Sequence, residues 1–229
     1  MEAIGYLASF VMGVTVGLMG GGGSILTVPI MVYLFSVSPM TATGYSLFVV
    51  GITSLAGSTM YFRKQEIDLR VGLLFAIPSV IGVNLSRGWV VPAIPEIIFR
   101  FENFSVSKDF FIMACFASLM MVASYSMIKK PKVKKQKIRD LAIQAVLIGL
   151  LGLIVGMVAG FVGAGGGFLT MPALVLLAGL SMRVAVGTSL MIVTLQSLTG
   201  FFGDLLRGAA IDWTLLLRVA TVAIVGIVV

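Results

Sequence analysis

At 229 residues, 59% hydrophobic and 11% charged, with a mean hydropathy of +1.12, the chain is too apolar for a soluble globule. No histidine and a single cysteine, Cys115, exclude an intrachain disulfide framework, imidazole metal sites and Ser-His or Cys-His catalysis. The formal charge of +7 does not point to nucleic acid, because seven of the sixteen basic residues fall within Lys129 to Arg139 beside the end of an apolar span, where positive charge marks membrane topology.

A membrane helix needs roughly 20 apolar residues. Seven apolar blocks follow one another: about Ala3 to Phe35, Thr41 to Phe62, Val71 to Ala93, Phe110 to Ile128, Leu141 to Leu180, Val184 to Leu206 and Trp213 to Val229. Runs such as Leu141 to Leu180 are apolar on every face, which excludes an outer-membrane barrel with its alternating polarity. The fold class is therefore an all-α polytopic membrane protein. Glu2 stands where a secretory signal needs a base, and the apolar run outlasts a signal core, so the amino terminus reads as a retained first span.

The first and fifth blocks would be about 50 Å long as continuous helix, too long for one ordinary crossing. Each carries a glycine cluster near its middle, Gly20 to Gly23 and Gly163 to Gly167, and both are predicted to be broken helices. Between the third and fourth blocks, residues 84–109 read as a long extracytoplasmic loop or interfacial helix. Residues 129–140 read as a basic cytoplasmic linker. If each block crosses once, eleven basic residues (Arg63, Lys64, Arg70, the seven of Lys129 to Arg139, and Arg207) share one side, against Arg87, Arg100, Lys108 and Arg183 on the other. The richer side faces the cytoplasm of an inner membrane, and with it the amino terminus.

An internal repeat organises the chain. A shift of 143 positions lays Gly17 to Leu47 on Gly160 to Leu190, matching Gly20/Gly163, Gly22/Gly165, Gly23/Gly166, Thr27/Thr170, Pro29/Pro172, Gly44/Gly187 and Ser46/Ser189. Chance apolar similarity would match Leu and Val rather than Gly, Pro, Thr and Ser in register. One inserted residue carries the match on to Asp68/Asp212 and Gly82/Gly226. The chain thus reads as a duplicated four-segment unit, residues 1–128 and 141–229, whose second copy lacks a counterpart of Phe110 to Ile128.

The glycine clusters carry the chemistry to be expected. Glycine costs a helix about 1 kcal/mol relative to alanine, so the runs predict unwound backbone, tolerated at membrane depth only where protein or a water-filled cavity covers it. A helix restarting there aims free N–H groups and the positive end of its dipole at the gap, an anion site without a charged side chain. Backbone of Gly22, Gly23 and Ser24 and of Gly165, Gly166 and Gly167 would supply it, flanked by Thr27 and Thr170. The competing reading makes the glycines close helix-packing contacts. On the sixth block Ser189, Gln196, Gly200 and Gly203 fall within about 60° of helical arc, with Ser46, Thr53 and Gly57 matching in the first repeat. The stripe faces the bundle interior and either lines a pathway or ties two helices together. Arg218 either snorkels to an interface or adds charge to an anion route. Asp204, beside Arg207, reads as a solvated acid at a helix end. No pair of intramembrane acids marks a proton or sodium site, and no cofactor is implied.

These residues resemble the TauE/SafE, or sulfite exporter-like, membrane permeases: a duplicated glycine-rich break, a proline, then an A-V-G-T-S-L segment. The second copy matches closely with GAGGGFLTMPALVLL and Ala185 to Leu190, whereas Ala42 to Leu47 departs by placing Tyr45 where the second copy has Thr188. The resemblance implies export of small sulfur-containing oxyanions such as sulfite or organosulfonates. In that reading the anion sits at the midplane between the breaks, assisted by Ser46, Thr27, Thr170, Thr188, Ser189 and Gln196, with the lipid bilayer and the anion as partners and one repeat rocking against the other. The alternative is a non-transporting membrane scaffold or assembly subunit.

Overall fold

The structure, a computed structural model, describes residues 2–101, 104–128, 141–163, 165–209 and 211–228; the basic linker of residues 129–140 and Ala164 lie outside them. Helix α1 (Glu2–Met19) ends at the first glycine cluster. A 3-10 turn (Gly22–Leu26), the short α2 (Thr27–Pro29) and a π turn (Ile30–Leu34) follow. Ser38, whose hydroxyl accepts from Thr41 N, and Pro39 in the first turn start α3 (Pro39–Arg63), as expected of an N-cap with proline behind it. Asp68 caps α4 (Leu69–Leu85) through Val71 N at 3.0 Å. The helix then runs on through a π turn (Ser86–Val90) into α5 (Val91–Ala93), so residues 84–93, part of the stretch read as an extracytoplasmic loop or interfacial helix, are helical. An antiparallel pair of strands, β1 (Ile97–Phe101) and β2 (Phe104–Ser107), follows. Helices α6 (Lys108–Ile128), α7 (Leu141–Val162), α8 (Gly167–Leu177), α9 (Met182–Leu206) and α10 (Trp213–Val228) complete the chain.

Among the described residues, Pro39–Arg63, Leu69–Ala93, Ala145–Val162 and Met182–Leu206 are long and apolar enough to cross a bilayer. Leu7, Ile77, Ile81, Leu150, Ile154 and Leu217 are exposed on the outside of the bundle, the position lipid would cover.

The packing is interlaced between the repeats. Antiparallel α3 and α9 form the central pair, α1 lies along α10, and α4 along α7. The α4–α7 seam is a glycine ladder: a Cβ added at Gly152, Gly156 or Gly160 would meet the backbone of Phe75, Ser79 or Val83. Its counterpart sets Gly13 against Ala223 and Gly17 against Ile227. Small residues at a spacing of four let parallel helix backbones touch. Two apolar cores flank the central pair, one including Met12, Val16, Leu47, Val219 and Ala223, the other Phe75, Ile148, Leu174, Ala185 and Ile192.

Both glycine clusters interrupt helix, but the chain reverses there instead of continuing across. Phe35 returns to Gly5 and stacks edge-on against Tyr6 at 5.4 Å, so the first block begins and ends on one face, here termed the amino-terminal face. Tyr45 beside Asp212 places the starts of α3 and α10 on that face; Thr188 beside Asp68 places the starts of α4 and α9 on the opposite one. The assumption of one crossing per apolar block is thereby corrected for the first block, and for its repeat partner α7–α8, which enters from the opposite face.

Candidate functional site

The two reversals meet at the centre of the molecule. Gly20 and Gly21 take φ of +61° and +90°, and Gly163, Gly165 and Gly166 take +73°, +66° and +65°, a region that an L side chain enters only at a cost. A Cβ at Gly21 would lie 3.1 Å from Gly167 Cα, so the tips of the hairpins touch. Around them Val50 and Val193, equivalent in the two repeats, pack on Gly165 and Gly21.

Hydroxyls on the central helix pair hold the turns. Ser189 Oγ donates to Gly20 O at 2.5 Å, and Ser46 Oγ donates to Gly163 O. The two bonds are repeat images of each other. Gln196 donates to Gly165 O and accepts from Ser79 Oγ, tying the second turn to α4. Thr170 Oγ1 donates to Gly166 O at 2.9 Å. Thr188 Oγ1 accepts from Asp68 N at 3.0 Å, and Tyr45, its repeat partner, accepts from Asp212 N at 2.6 Å. The departure at Tyr45 therefore keeps the same job, since each side chain bonds the residue that caps a helix of the other repeat.

A hydroxyl that donates its one proton to a carbonyl has none left for an anion. Of the polar side chains singled out from sequence, Ser46, Ser189 and Thr170 are engaged in this way. Ser24 and Thr27 are not: both are buried, and Ser24 Oγ and Thr27 Oγ1 have no hydrogen-bond partner among the described residues. Two further hydroxyls share that state, Ser54 Oγ and Ser197 Oγ, again repeat equivalents. A Cβ at Gly165 would come within 2.8 Å of Ser197 Oγ, which puts this hydroxyl at the second turn. Their signal in the sequence was the matched S-L-x-G of residues 54–57 and 197–200. Gly165, Gly166 and Gly167 belong to the second turn, with α8 starting at Gly167, and Gly22 and Gly23 follow the first, Gly22 beside Met19 and Gly23 packed on Thr15 and Val16 of α1. Buried polar groups without partners are rare and costly.

Toward the amino-terminal face the structure builds something that sequence reasoning missed. Arg87, on the π turn after α4, is buried, and its guanidinium makes an ion pair with Asp204 near the end of α9. It also donates to Gly160 O at 3.1 Å and to Thr43 Oγ1 at 2.8 Å. Asp204, expected to be a solvated acid, is instead 17% exposed at its side chain and shared between Arg87 and Arg207, the latter at 3.5 Å. A cavity of about 360 Å³ opens over these three residues, lined also by Thr41, Gly44, Tyr45 and Phe201. Arg218 lines a separate, open apolar depression with Tyr6.

Comparison with known proteins gives a consistent picture. The profile of the family described as "Sulfite exporter TauE/SafE" matches residues 5–229. The chain is 31% identical to "Probable membrane transporter protein YunE" of Bacillus subtilis, over 90% of this chain and 81% of that protein. It is 25% identical to "Probable membrane transporter protein YdhB" of the same organism, over 93% and 82%, and 26% identical to a "Probable membrane transporter protein" of Methanocaldococcus jannaschii, over 87% and 70%. No solved structure matches significantly.

Proposed function

The chain belongs to the sulfite exporter TauE/SafE family, and from that membership we propose that it is a secondary transporter, an exporter of small sulfur-containing oxyanions such as sulfite or organosulfonates. The observation that carries the reading is the meeting of two glycine turns, entering from opposite faces, with the buried hydroxyls of Ser24 and Thr27 following the first turn and that of Ser197 against the second, each without a partner among the described residues. Hydroxyl protons without an acceptor among the described residues suit an oxyanion held by several hydrogen bonds, one admitted as the repeats rock apart, since a Cβ at Gly163, Gly165 or Gly166 already meets neighbours within 3 Å. The amides of Gly22, Gly23, Gly165, Gly166 and Gly167 add the positive ends of the restarting helices. Ser46, Ser189, Thr170 and Gln196 act one step back, fixing the turns that carry these amides, while Thr188 ties α9 to the cap of α4. Alternating access follows from rocking of one repeat on the other about the α3–α9 pair.

Orientation follows from the reversals. With the first and fifth blocks returning to their own face, Arg63, Lys64, Arg70, Arg183 and the seven basic residues of 129–139 share one side, against Arg87, Arg100, Lys108 and Arg207. The richer side faces the cytoplasm of the plasma membrane, which puts the amino terminus outside, reversing the expectation drawn from single crossings.

Removal of the free hydroxyls tests the reading. Ser24→Ala, Thr27→Val, Ser54→Ala and Ser197→Ala each delete a group that costs stability where it stands, so melting temperatures in detergent should hold or rise. If the hydroxyls bind the anion, radiolabelled sulfite flux into proteoliposomes should fall about tenfold, the equivalent of one hydrogen bond to a charged group. Unchanged flux in the fourfold variant, at wild-type protein levels, would end the proposal.

A further inference from the structure

We propose that the cavity on the amino-terminal face is a second oxyanion station, outside the central site, and that the Arg87–Asp204 ion pair is its gate. Two guanidinium groups, Arg87 and Arg207, converge on one carboxylate, leaving the cluster one positive charge in excess. The cavity above it, about 360 Å³, is ample for a tetrahedral or pyramidal oxyanion with its waters. Arginine's planar fork is suited to the paired oxygens of a sulfite, sulfonate or carboxylate group. Such an anion competes with Asp204 for the same N–H groups, and exchange of one for the other keeps Arg87 paired throughout.

The gate is wired to the central turn. Arg87 holds Gly160 O, in the last turn of α7, and Thr43 Oγ1. Thr43 packs on Gly163, at the first residue of the left-handed stretch. A guanidinium that swings toward an anion in the cavity releases both contacts at the base of the second glycine hairpin. Among the described residues the device stands at one mouth: Asp204 lies against Gly44, whereas the repeat-equivalent contact sets Tyr61 against Gly187.

This inference rests on the transporter reading for its purpose, but the anion station is testable without transport. With Cys115→Ser as background, Thr41→Cys places a thiol on the cavity wall, and its labelling by a neutral maleimide is followed in proteoliposomes as sulfite is added. Sulfite should slow labelling. With Asp204→Asn the competing charge is gone, and protection should set in at about tenfold lower sulfite. The double variant Arg87→Gln with Asp204→Asn removes the guanidinium without leaving a lone buried charge, so it should fold and show no protection. Equal protection in all three proteins, or none in any, overturns the proposal. Sulfite flux measured on the same preparations separates the two ideas: flux without protection sinks the station and spares the transporter, whereas protection without flux does the reverse.

Discussion

Ser46 and Ser189 donate to the carbonyls of Gly163 and Gly20, each bond reaching from the central pair to the turn of one repeat. Ser46→Ala and Ser189→Ala should each destabilise the protein by about 1–3 kcal/mol, because each strands a buried acceptor. Chemical denaturation monitored by tryptophan fluorescence gives the measurement, and near-equal losses in the two variants are the expected sign of the repeat. Gln196→Leu should cost more than either, since one side chain serves both Gly165 and Ser79. Ser46, Ser189, Gln196 and Thr170 lie at the glycine turns and Thr188 at the start of α4, while the division between those that build the turns and those with a free proton was illegible. Serine at 24, 46, 54 or 189 looks the same in a string of letters; only the nearest carbonyl distinguishes them. Arg87 and Asp204 were illegible for a different reason, since 117 residues of chain separate two partners that no local pattern connects.

At the level of the elements, glycine has two distinct duties in this protein. Within helices it allows backbones to touch, as where Gly156 faces Ser79 and Gly13 faces Ala223; in the clusters it turns the chain. The unwinding expected at the clusters is seen there, whereas the glycines that pack helix on helix are ones given no packing role from the sequence. Gly156→Val should force α7 away from α4 and lower stability by about 1–3 kcal/mol, visible as a lower melting temperature with a shift in gel-filtration homogeneity. Gly208→Ala meets no neighbour but has a φ of +84°, so its loss should be near 1 kcal/mol. A larger penalty at residue 208 than at residue 156 would contradict the packing account. The apolar blocks and the duplication could be read directly, because hydropathy and matched Gly, Pro and Ser survive without structure. The reversal at each cluster could not, since an unwound stretch in a straight path and a hairpin have the same composition.

For the whole molecule, the reversals fix which chain segments share a face. Gln65→Cys and Ala209→Cys, each placed singly in the Cys115→Ser background, should react with a membrane-impermeant thiol reagent from opposite sides in intact cells and inverted vesicles. An amino-terminal epitope should behave like the thiol at 209; labelling it together with the thiol at 65 would return the topology to single crossings. Because α4 takes α7 as its partner and α1 takes α10, each repeat completes the other, and this bears on biosynthesis. As the ribosome feeds the bilayer, α1 and α4 arrive with their docking ridges bare and wait for helices not yet translated. The first half should therefore be degraded when made alone and rescued when the second is co-expressed as a separate polypeptide, with assembly at the translocon as the step on which yield depends.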